Sequence, residues 1–368
     1  MGEIVIWALV KIAILFGFAL NLSAVLTWME RRQSAMMQDR MGPVKANISG
    51  VTLWGLLHPL ADALKLATKE DFVPPKAHKA IFVLAPLFAI APVVMVFAVI
   101  PFAPPVCLKQ LTAIAPRCVA PEHMQIARID IGLLYVFAIA SISVYGAALA
   151  GWASYNNYSL LGGLRASAQM LSYEITMGMA LIGTFLVFGT LEPGELVLRQ
   201  STIAKWGIVQ QPLGFILFFF AAIAETKRAP FDLPEGESEI VGYFVEYSGA
   251  RFMTFFLGEF LEIVFVGCMV TTIFLGGWQA PGLAADGLHI FGLDLQLPHI
   301  AVVGLGLVTF TIKVFIVCFL QLAIRWSLPR MRYDQLMRLG WKGMLPASII
   351  NVIITAAVVL WMSSPVKG

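Results

Sequence analysis

Charge is scarce in this chain. Asp, Glu, Lys and Arg make up 13% of its 368 residues, apolar residues make up 59%, and the mean hydropathy is +0.82. Soluble domains carry about 25% charged residues, so this composition excludes a chain of two or three soluble domains. The net charge of +3 is too small for a nucleic-acid-binding surface. Cysteine is also sparse. Cys268 and Cys318 fall within apolar runs, where a buried thiol is the default. Cys107 and Cys118 share the segment 102–129, where an extracytoplasmic disulfide is open to them. Neither pair has the spacing of an iron–sulfur or zinc site, which leaves the chain without a redox metal of its own. No phosphate-binding glycine loop, nucleophile triad, HExxH, heptad or solenoid repeat occurs. Met1-Gly2-Glu3 places an acid where a secretory signal needs basic residues, and no cleavage pattern follows. The first apolar run is therefore expected to be a retained membrane helix.

What the sequence does have is a series of runs of about 20 apolar residues, each able to cross a hydrocarbon core of roughly 30 Å. Eight spans are expected, at 4–29, 80–101, 130–153, 170–190, 205–224, 251–277, 299–324 and 344–362. The fifth is interrupted by Gln210, Gln211 and Pro212. The fold class is thus all-α, a single polytopic membrane domain over 1–368. Lysine and arginine divide unevenly between the connections: 17 follow odd-numbered spans, and 6 lie on the other side. The positive-inside rule then puts both termini outside, and the 30–79 and 225–250 connections in the cytoplasm.

Within 30–79, residues 51–70 are too polar to span. His58, Asp62, Lys65 and Lys69 form one narrow helical stripe, opposite Leu53, Leu56, Leu57, Leu60, Leu64 and Ala67. That pattern predicts an amphipathic helix lying in the membrane interface, with Pro59 either kinking it or marking its start. Upstream, Arg31, Arg32 and Arg40 anchor topology, but Glu30 does nothing for orientation. It either pairs with Arg31 or Arg40 or lines a polar entrance.

The 225–246 stretch holds Glu225, Asp232, Glu235, Glu237, Glu239 and Glu246 between two apolar runs, with aromatic and apolar residues interleaved. Glu174 is expected in the first turns of span 4. Glu225 is expected at the end of span 5 with Arg228 on the same helical face, and Glu259 and Glu262 three apart on one face of span 6. Glu30, Glu174 and Glu225 would mark cytoplasmic ends of spans, and the span 6 pair would lie deeper. Carboxylates in a membrane cost at least a few kcal/mol each, so they should face a wet bundle interior. Each has a structural alternative when taken singly: Glu225 neutralising Arg228, Glu174 bonding Tyr173 or backbone. Taken together they predict one acidic chamber open to the cytoplasm, suited to carrying protons. Lys11 is expected to snorkel outward, and Lys313 is a candidate counter-ion for one of the acids.

The run Glu225-Thr-Lys-Arg-Ala-Pro-Phe-Asp-Leu-Pro-Glu-Gly-Glu-Ser-Glu239 resembles the signature of one membrane-subunit family of NADH:quinone oxidoreductase, respiratory complex I. That family comprises its bacterial H subunits and their mitochondrial counterparts. Glu30-Arg31-Arg32 with Gln38-Asp39-Arg40-Met41-Gly42-Pro43, then His58 to Leu66, and Ser172-Tyr173-Glu174 resemble it too. The resemblance implies a subunit at the foot of the membrane arm, clasping peripheral iron–sulfur and quinone-site subunits. Small membrane subunits would lead from it to antiporter-like ones. Quinone is the implied substrate, with FMN and iron–sulfur clusters only on partners. Its tail would enter between span 1, span 6 and the interfacial helix, in a bacterial inner membrane. On that resemblance Glu30, Arg31, Arg40, Asp62, Lys65 and Lys69 would border the quinone entrance or the junction with the peripheral arm. Arg228, Asp232, Glu235, Glu237 and Glu239 form a loop sensing quinone reduction, and Glu174, Glu225, Glu246, Glu259 and Glu262 move protons or charge inward. The related membrane subunit of a proton-coupled hydrogenase is the nearest competing reading. A free-standing transporter would tend to show inverted repeats, which are not seen.

Overall fold

In the computed structural model, residues 2–107, 122–234, 236, 242–284, 287–290 and 293–363 are described. Among the described residues, seven helices are long and apolar enough to cross a membrane. They are α1 (Gly2–Met37), α3 (Lys79–Val96), α4 (Gly132–Ala153), α5 (Asn157–Phe188), α9 (Gly249–Phe274), α10 (His299–Ser327) and the continuous Tyr333–Ser363. The last comprises α11 (Tyr333–Arg338), a π-helical turn (Leu339–Met344) and α12 (Leu345–Ser363). Between them lie the short helices α2 (His58–Thr68), α6 (Pro193–Arg199), α7 (Gly207–Gln210) and α8 (Pro212–Glu225). A small antiparallel sheet, β1 (Leu283–Ala284), β2 (Gly287–Ile290) and β3 (Leu293–Gln296), joins α9 to α10 and was not expected from the sequence. The all-α polytopic class is as expected.

The fifth expected span differs in kind. Gln211 takes a non-helical conformation between α7 and α8, and Pro212 starts a new helix whose 14 residues reach only about 21 Å. The break is filled by a buried amide knot. Gln211 Nε2 donates to Thr355 Oγ1 at 2.9 Å, and Asn351 Nδ2 donates to Gln211 Oε1 at 3.2 Å. Such interhelical bonds contribute about 0.6 kcal/mol each in membranes. Here they bind the broken helix to α12.

α9 is the centre of the bundle: 67% of its apolar window is buried, against 22% for α1. Around it α3, α4 and α5 cross closely where side chains are smallest. A Cβ on Gly146 would meet the Ala89 backbone at 2.6 Å, and one on Gly163 would meet Ala147 O at 2.7 Å. Small residues are how membrane helices bring backbones together. An acid on α9 therefore faces protein rather than lipid.

α5 begins at Asn157, well before the expected 170, because the Asn156 side chain accepts from the Tyr158 N–H at 3.0 Å and caps it. Glu174 consequently lies mid-helix, not in the first turns. Pro59 sits in the first turn of α2 and marks its start, while Lys69 falls just beyond its end. Leu60 and Leu64 are exposed, as an interfacial face requires. The turn before α2 needs Gly55 at φ +90°, where any Cβ would collide with the Pro43 carbonyl. That contact seats the 38–43 stretch against the interfacial helix.

Lys313 is not a counter-ion for an acid. Its ammonium donates to the carbonyls of Leu275 (2.6 Å), Gly277 (3.1 Å) and Gln279 (2.6 Å), over the Trp206 ring at 4.4 Å. A cation there satisfies main-chain carbonyls of the segment that follows α9, near the negative end of that helix. Lys313→Met should cost about 3 kcal/mol, read as a lower midpoint of thermal inactivation in detergent. An unchanged midpoint would mean that the carbonyls find other donors. Lys11 is buried and reaches Glu122 Oε2 at 3.2 Å. Cys268 and Cys318 are free, buried thiols. Cys107 is disulfide-bonded, while its expected partner Cys118 lies outside the described residues.

Candidate functional site

The signature stretch is folded into the bundle rather than lying on its surface. After Glu225 ends α8, Lys227 turns the chain at φ +58°. The Phe231 N–H then donates to Arg228 O at 2.8 Å and the Leu233 N–H to Phe231 O at 3.0 Å. Thr226, Lys227, Arg228, Phe231 and Leu233 are all buried. Because α8 is short, this turn meets the middle of α9 instead of its end. Glu225 therefore does not share a helical face with Arg228, which lies beyond the end of α8.

Each cation of the turn faces an acid of α9. Arg228 Nη2 lies 3.4 Å from Glu259 Oε2 and Lys227 Nζ lies 3.5 Å from Glu262 Oε1. Arg228 Nη1 also bonds Glu30 Oε2 at 2.8 Å, and its guanidinium covers the Phe260 ring at 4.0 Å. The other oxygen of Glu30 takes Arg325 Nη1 of α10 at 2.8 Å. So Glu30 pairs with neither Arg31 nor Arg40. It ties α1 to the turn and to α10. Arg31 instead bonds Asp62 at 2.5 Å, fastening α1 to α2, and Arg40 donates to Gln38 Oε1 at 2.6 Å.

Beyond Lys227 a narrow cavity of about 40 Å³ lies among α3, α4, α5, α8 and α9, edged by Glu225, Thr226, Glu262 and Ser143. A water needs roughly 10–15 Å³ of such room, so a few fit. Glu262 Oε2 is buried there without a hydrogen-bond partner among the described residues, an acceptor suited to one of them. Glu225 lies within electrostatic reach of Glu262 and Glu174, and Glu174 accepts a hydrogen bond from Ser141 Oγ. The walls are otherwise apolar: Val96, Met170, Phe218 and Phe265. The cavity that these acids edge is therefore a thin slot.

A second opening lies between α1, α2 and α9. It has a volume of about 250 Å³ and is lined by Leu20, Thr27, Ala63, Leu66, Phe256 and Phe260 among others, with Asp62 at its rim. Phe260 lines it and also lies under Arg228, so the slot and the buried cation share this ring.

The sequence profile of the NADH dehydrogenase family matches residues 10–356. Among similar proteins is the second of the NADH-quinone oxidoreductase H subunits of Geobacter sulfurreducens, 43% identical over 353 residues that cover 96% of each chain. The first H subunit of Geobacter metallireducens is 42% identical over 353 residues with the same coverage. The first H subunit of Solibacter usitatus is 39% identical, covering 96% of this chain and 97% of its own. The chain belongs to the NADH dehydrogenase family.

Both the charge lattice and the slot fall inside the family match. Not every expected site residue joins them. Glu246 accepts from Asn156 Nδ2 at 2.7 Å and lines a separate open cleft with Lys76, His78 and Trp152. Lys65 is exposed on α2 and Lys69 just beyond it. Asp232 follows the buried turn; Glu235, Glu237 and Glu239 lie outside the described residues. Two other members of the site, Arg325 and Ser141, stand in no motif of the sequence, and Lys227 stands in the signature run without being marked as a partner for Glu262. The segment after α10 is part of the site as well. Met331 N–H donates to Pro230 O at 3.1 Å, and the Arg330 guanidinium occupies the space a Cβ on Gly236 would need.

On the opposite face Arg128 grips Glu192 with two bonds of 2.6 and 3.1 Å. Burial, helped by the Arg128 charge, holds the His123 imidazole below its usual range. Hydrogen bonding to Arg199 does the same to the Glu195 carboxyl. These groups form a structural clasp around α6.

Proposed function

We propose that this chain is the membrane subunit of a proton-translocating NADH:quinone oxidoreductase in a bacterial inner membrane, with its basic face toward the cytoplasm and, α7, α8 and the buried turn together making an eighth crossing, both termini outside. Quinone is the substrate. Its apolar tail passes through the slot between α1, α2 and α9, and its head group goes on toward peripheral quinone-site and iron–sulfur subunits that carry FMN and the clusters. Small membrane subunits continue the path to antiporter-like subunits. The observation that carries this reading is the meeting of an apolar lateral slot with a buried arginine shared between two acids, Arg228 with Glu30 and Glu259.

The coupling follows from how those charges are shared. Negative charge developing near the inner end of the slot competes with Glu30 and Glu259 for Arg228. A carboxylate that loses part of its counter-charge in a low-dielectric site gains affinity for a proton. Lys227 and Glu262 extend the same exchange to the water-sized cavity, where Glu225 and Glu174 stand next. Arg31, Asp62, Arg40, Lys65 and Lys69 shape the entrance and the junction with the peripheral subunits; Asp232, Glu235, Glu237 and Glu239 are the acids that sense quinone reduction.

Glu225→Gln and Glu262→Gln in the intact complex test the path. Both should reduce protons moved per electron several-fold, measured in proteoliposomes by quenching of a pH-sensitive dye. Electron transfer from NADH to ferricyanide should be unchanged. Full pumping by both variants in assembled complex would remove these acids from the route.

A further inference from the structure

The charged turn is held in place by a residue that none of the motifs includes. Gln169 of α5 has no exposed surface. Its Nε2 donates to Ala224 O at 2.7 Å and to Phe231 O at 2.8 Å. Both partners are main-chain acceptors, so the amide must face them with its nitrogen. Those carbonyls bracket Glu225, Thr226, Lys227, Arg228, Ala229 and Pro230, and one NH₂ group closes the chain on either side of them. The carbonyls at a helix end lack intrahelical donors. From the main chain Ala224 O takes the Thr226 N–H and, at a long 3.4 Å, the Lys227 N–H.

We infer that Gln169 is a positioning residue for quinone-linked charge transfer, setting the depth and register at which Lys227 and Arg228 meet Glu262, Glu259 and Glu30. The inference rests on the function proposed above and adds to it a residue that touches neither quinone nor proton. Three lines support it. Gln169 shares α5 with Glu174, so one rigid helix fixes the turn and an acid of the path together. One helical turn on, Tyr173 lies against Phe231 with ring centroids 6.3 Å apart and donates to Leu336 O at 2.9 Å, so the far side of the turn is braced by the same helix. And the ion pairs of Lys227 and of Arg228 with Glu259 are long, at 3.5 and 3.4 Å. Pairs at that distance are set by where the backbone places them rather than by their own forked geometry. Loosening the turn shifts all of them.

The test is Gln169→Met, which keeps length and removes both donors, made in the full complex and normalised to bound flavin. NADH oxidation by ferricyanide should stay at the wild-type level. The kcat of quinone reduction should fall about tenfold, as expected for two buried hydrogen bonds, with little change in KM, and protons per electron should fall too. A purely structural role would instead lower the amount of assembled complex, leaving kcat per flavin normal, and that result would overturn the inference. Gln169→Glu keeps size and polarity but sets carboxylate oxygens against two carbonyls, so it should be at least as impaired; wild-type turnover by this variant would equally overturn it. Should the methionine variant not assemble, Gln169→His, which retains one N–H donor, decides: partial kcat supports the inference and full kcat defeats it. Glu225→Gln run in parallel separates the two readings. Impaired Glu225→Gln with normal Gln169→Met sinks Gln169 alone, whereas normal pumping in both sinks the proton path itself.

Discussion

Arg228→Met should abolish quinone-linked turnover, by more than about a hundredfold, while leaving NADH oxidation by ferricyanide intact. The guanidinium side chain is 6% exposed and serves, among the described residues, two acids whose side chains are only 15% and 9% exposed. Removing one partner of a buried pair costs roughly 3–5 kcal/mol, chiefly because a charge is left behind without compensation. At about 1.4 kcal/mol per decade that is roughly two to three and a half powers of ten. The cost should fall unevenly. Glu30 keeps Arg325 through its other oxygen at 2.8 Å, whereas Glu259 loses the cation that faces it. Two further variants follow from that asymmetry. Arg228→Lys keeps the charge but gives up the fork and the flat stack on Phe260, and should retain part of the activity. Adding Glu259→Gln to Arg228→Met should recover more than adding Glu30→Gln, measured as a double-mutant cycle on kcat per flavin. If neither acid gives recovery, uncompensated charge is not the cause, and if Arg228→Met turns over normally the lattice is not part of the chemistry.

The expense of charge made the acids legible in the sequence, and the length of apolar runs made the spans legible, since both are signals that a bilayer imposes locally. The break in span 5 was marked by Gln210, Gln211 and Pro212. What could not be read is which charge meets which. Glu30 and Arg228 are 198 positions apart, and nothing near Glu30 favours Arg228 over Arg31 or Arg40. Arg325 looked like every other arginine on the basic face. Lys313 looked like a counter-ion because a sequence displays side-chain charge but not the main-chain carbonyls that close around it. The depth of Glu174 was misjudged for a related reason. The stretch 157–169 carries Arg165, Ser167 and Gln169, which lower its hydropathy, yet in the fold these groups are satisfied from other elements or from the preceding turn: Arg165 over Tyr333, Ser167 on Gly163 O, Gln169 on the charged turn. The π-helical turn at Leu339–Met344 was hidden likewise, because Gly340, Lys342 and Gly343 read as a polar loop while the helix in fact runs through them. Tertiary satisfaction of polar groups is invisible to a window that sums residues one at a time.

Filling the lateral slot should separate long-tailed from short-tailed quinones. Ala63 lies on its α2 wall and is exposed, so a larger side chain can enter the opening without repacking a core. Ala63→Trp puts an indole into a space of about 250 Å³ that an isoprenoid tail would have to share. Close-packed contacts do not yield by even one methylene without cost, so kcat/KM for a quinone with a long tail should fall at least about tenfold. A short-tailed analogue, which needs less of the slot, should lose little. Ala61→Trp, on the same helix but off the lining, is the control and should leave both substrates unaffected. The Arg228 and slot variants then differ in kind. The first lowers kcat for every quinone because the charge exchange is lost, whereas the second acts through KM and only on the tail. Equal losses for both tails in Ala63→Trp would mean that α2 had been displaced and Arg31–Asp62 broken with it; no loss for either would place the route of the tail somewhere other than between α1, α2 and α9.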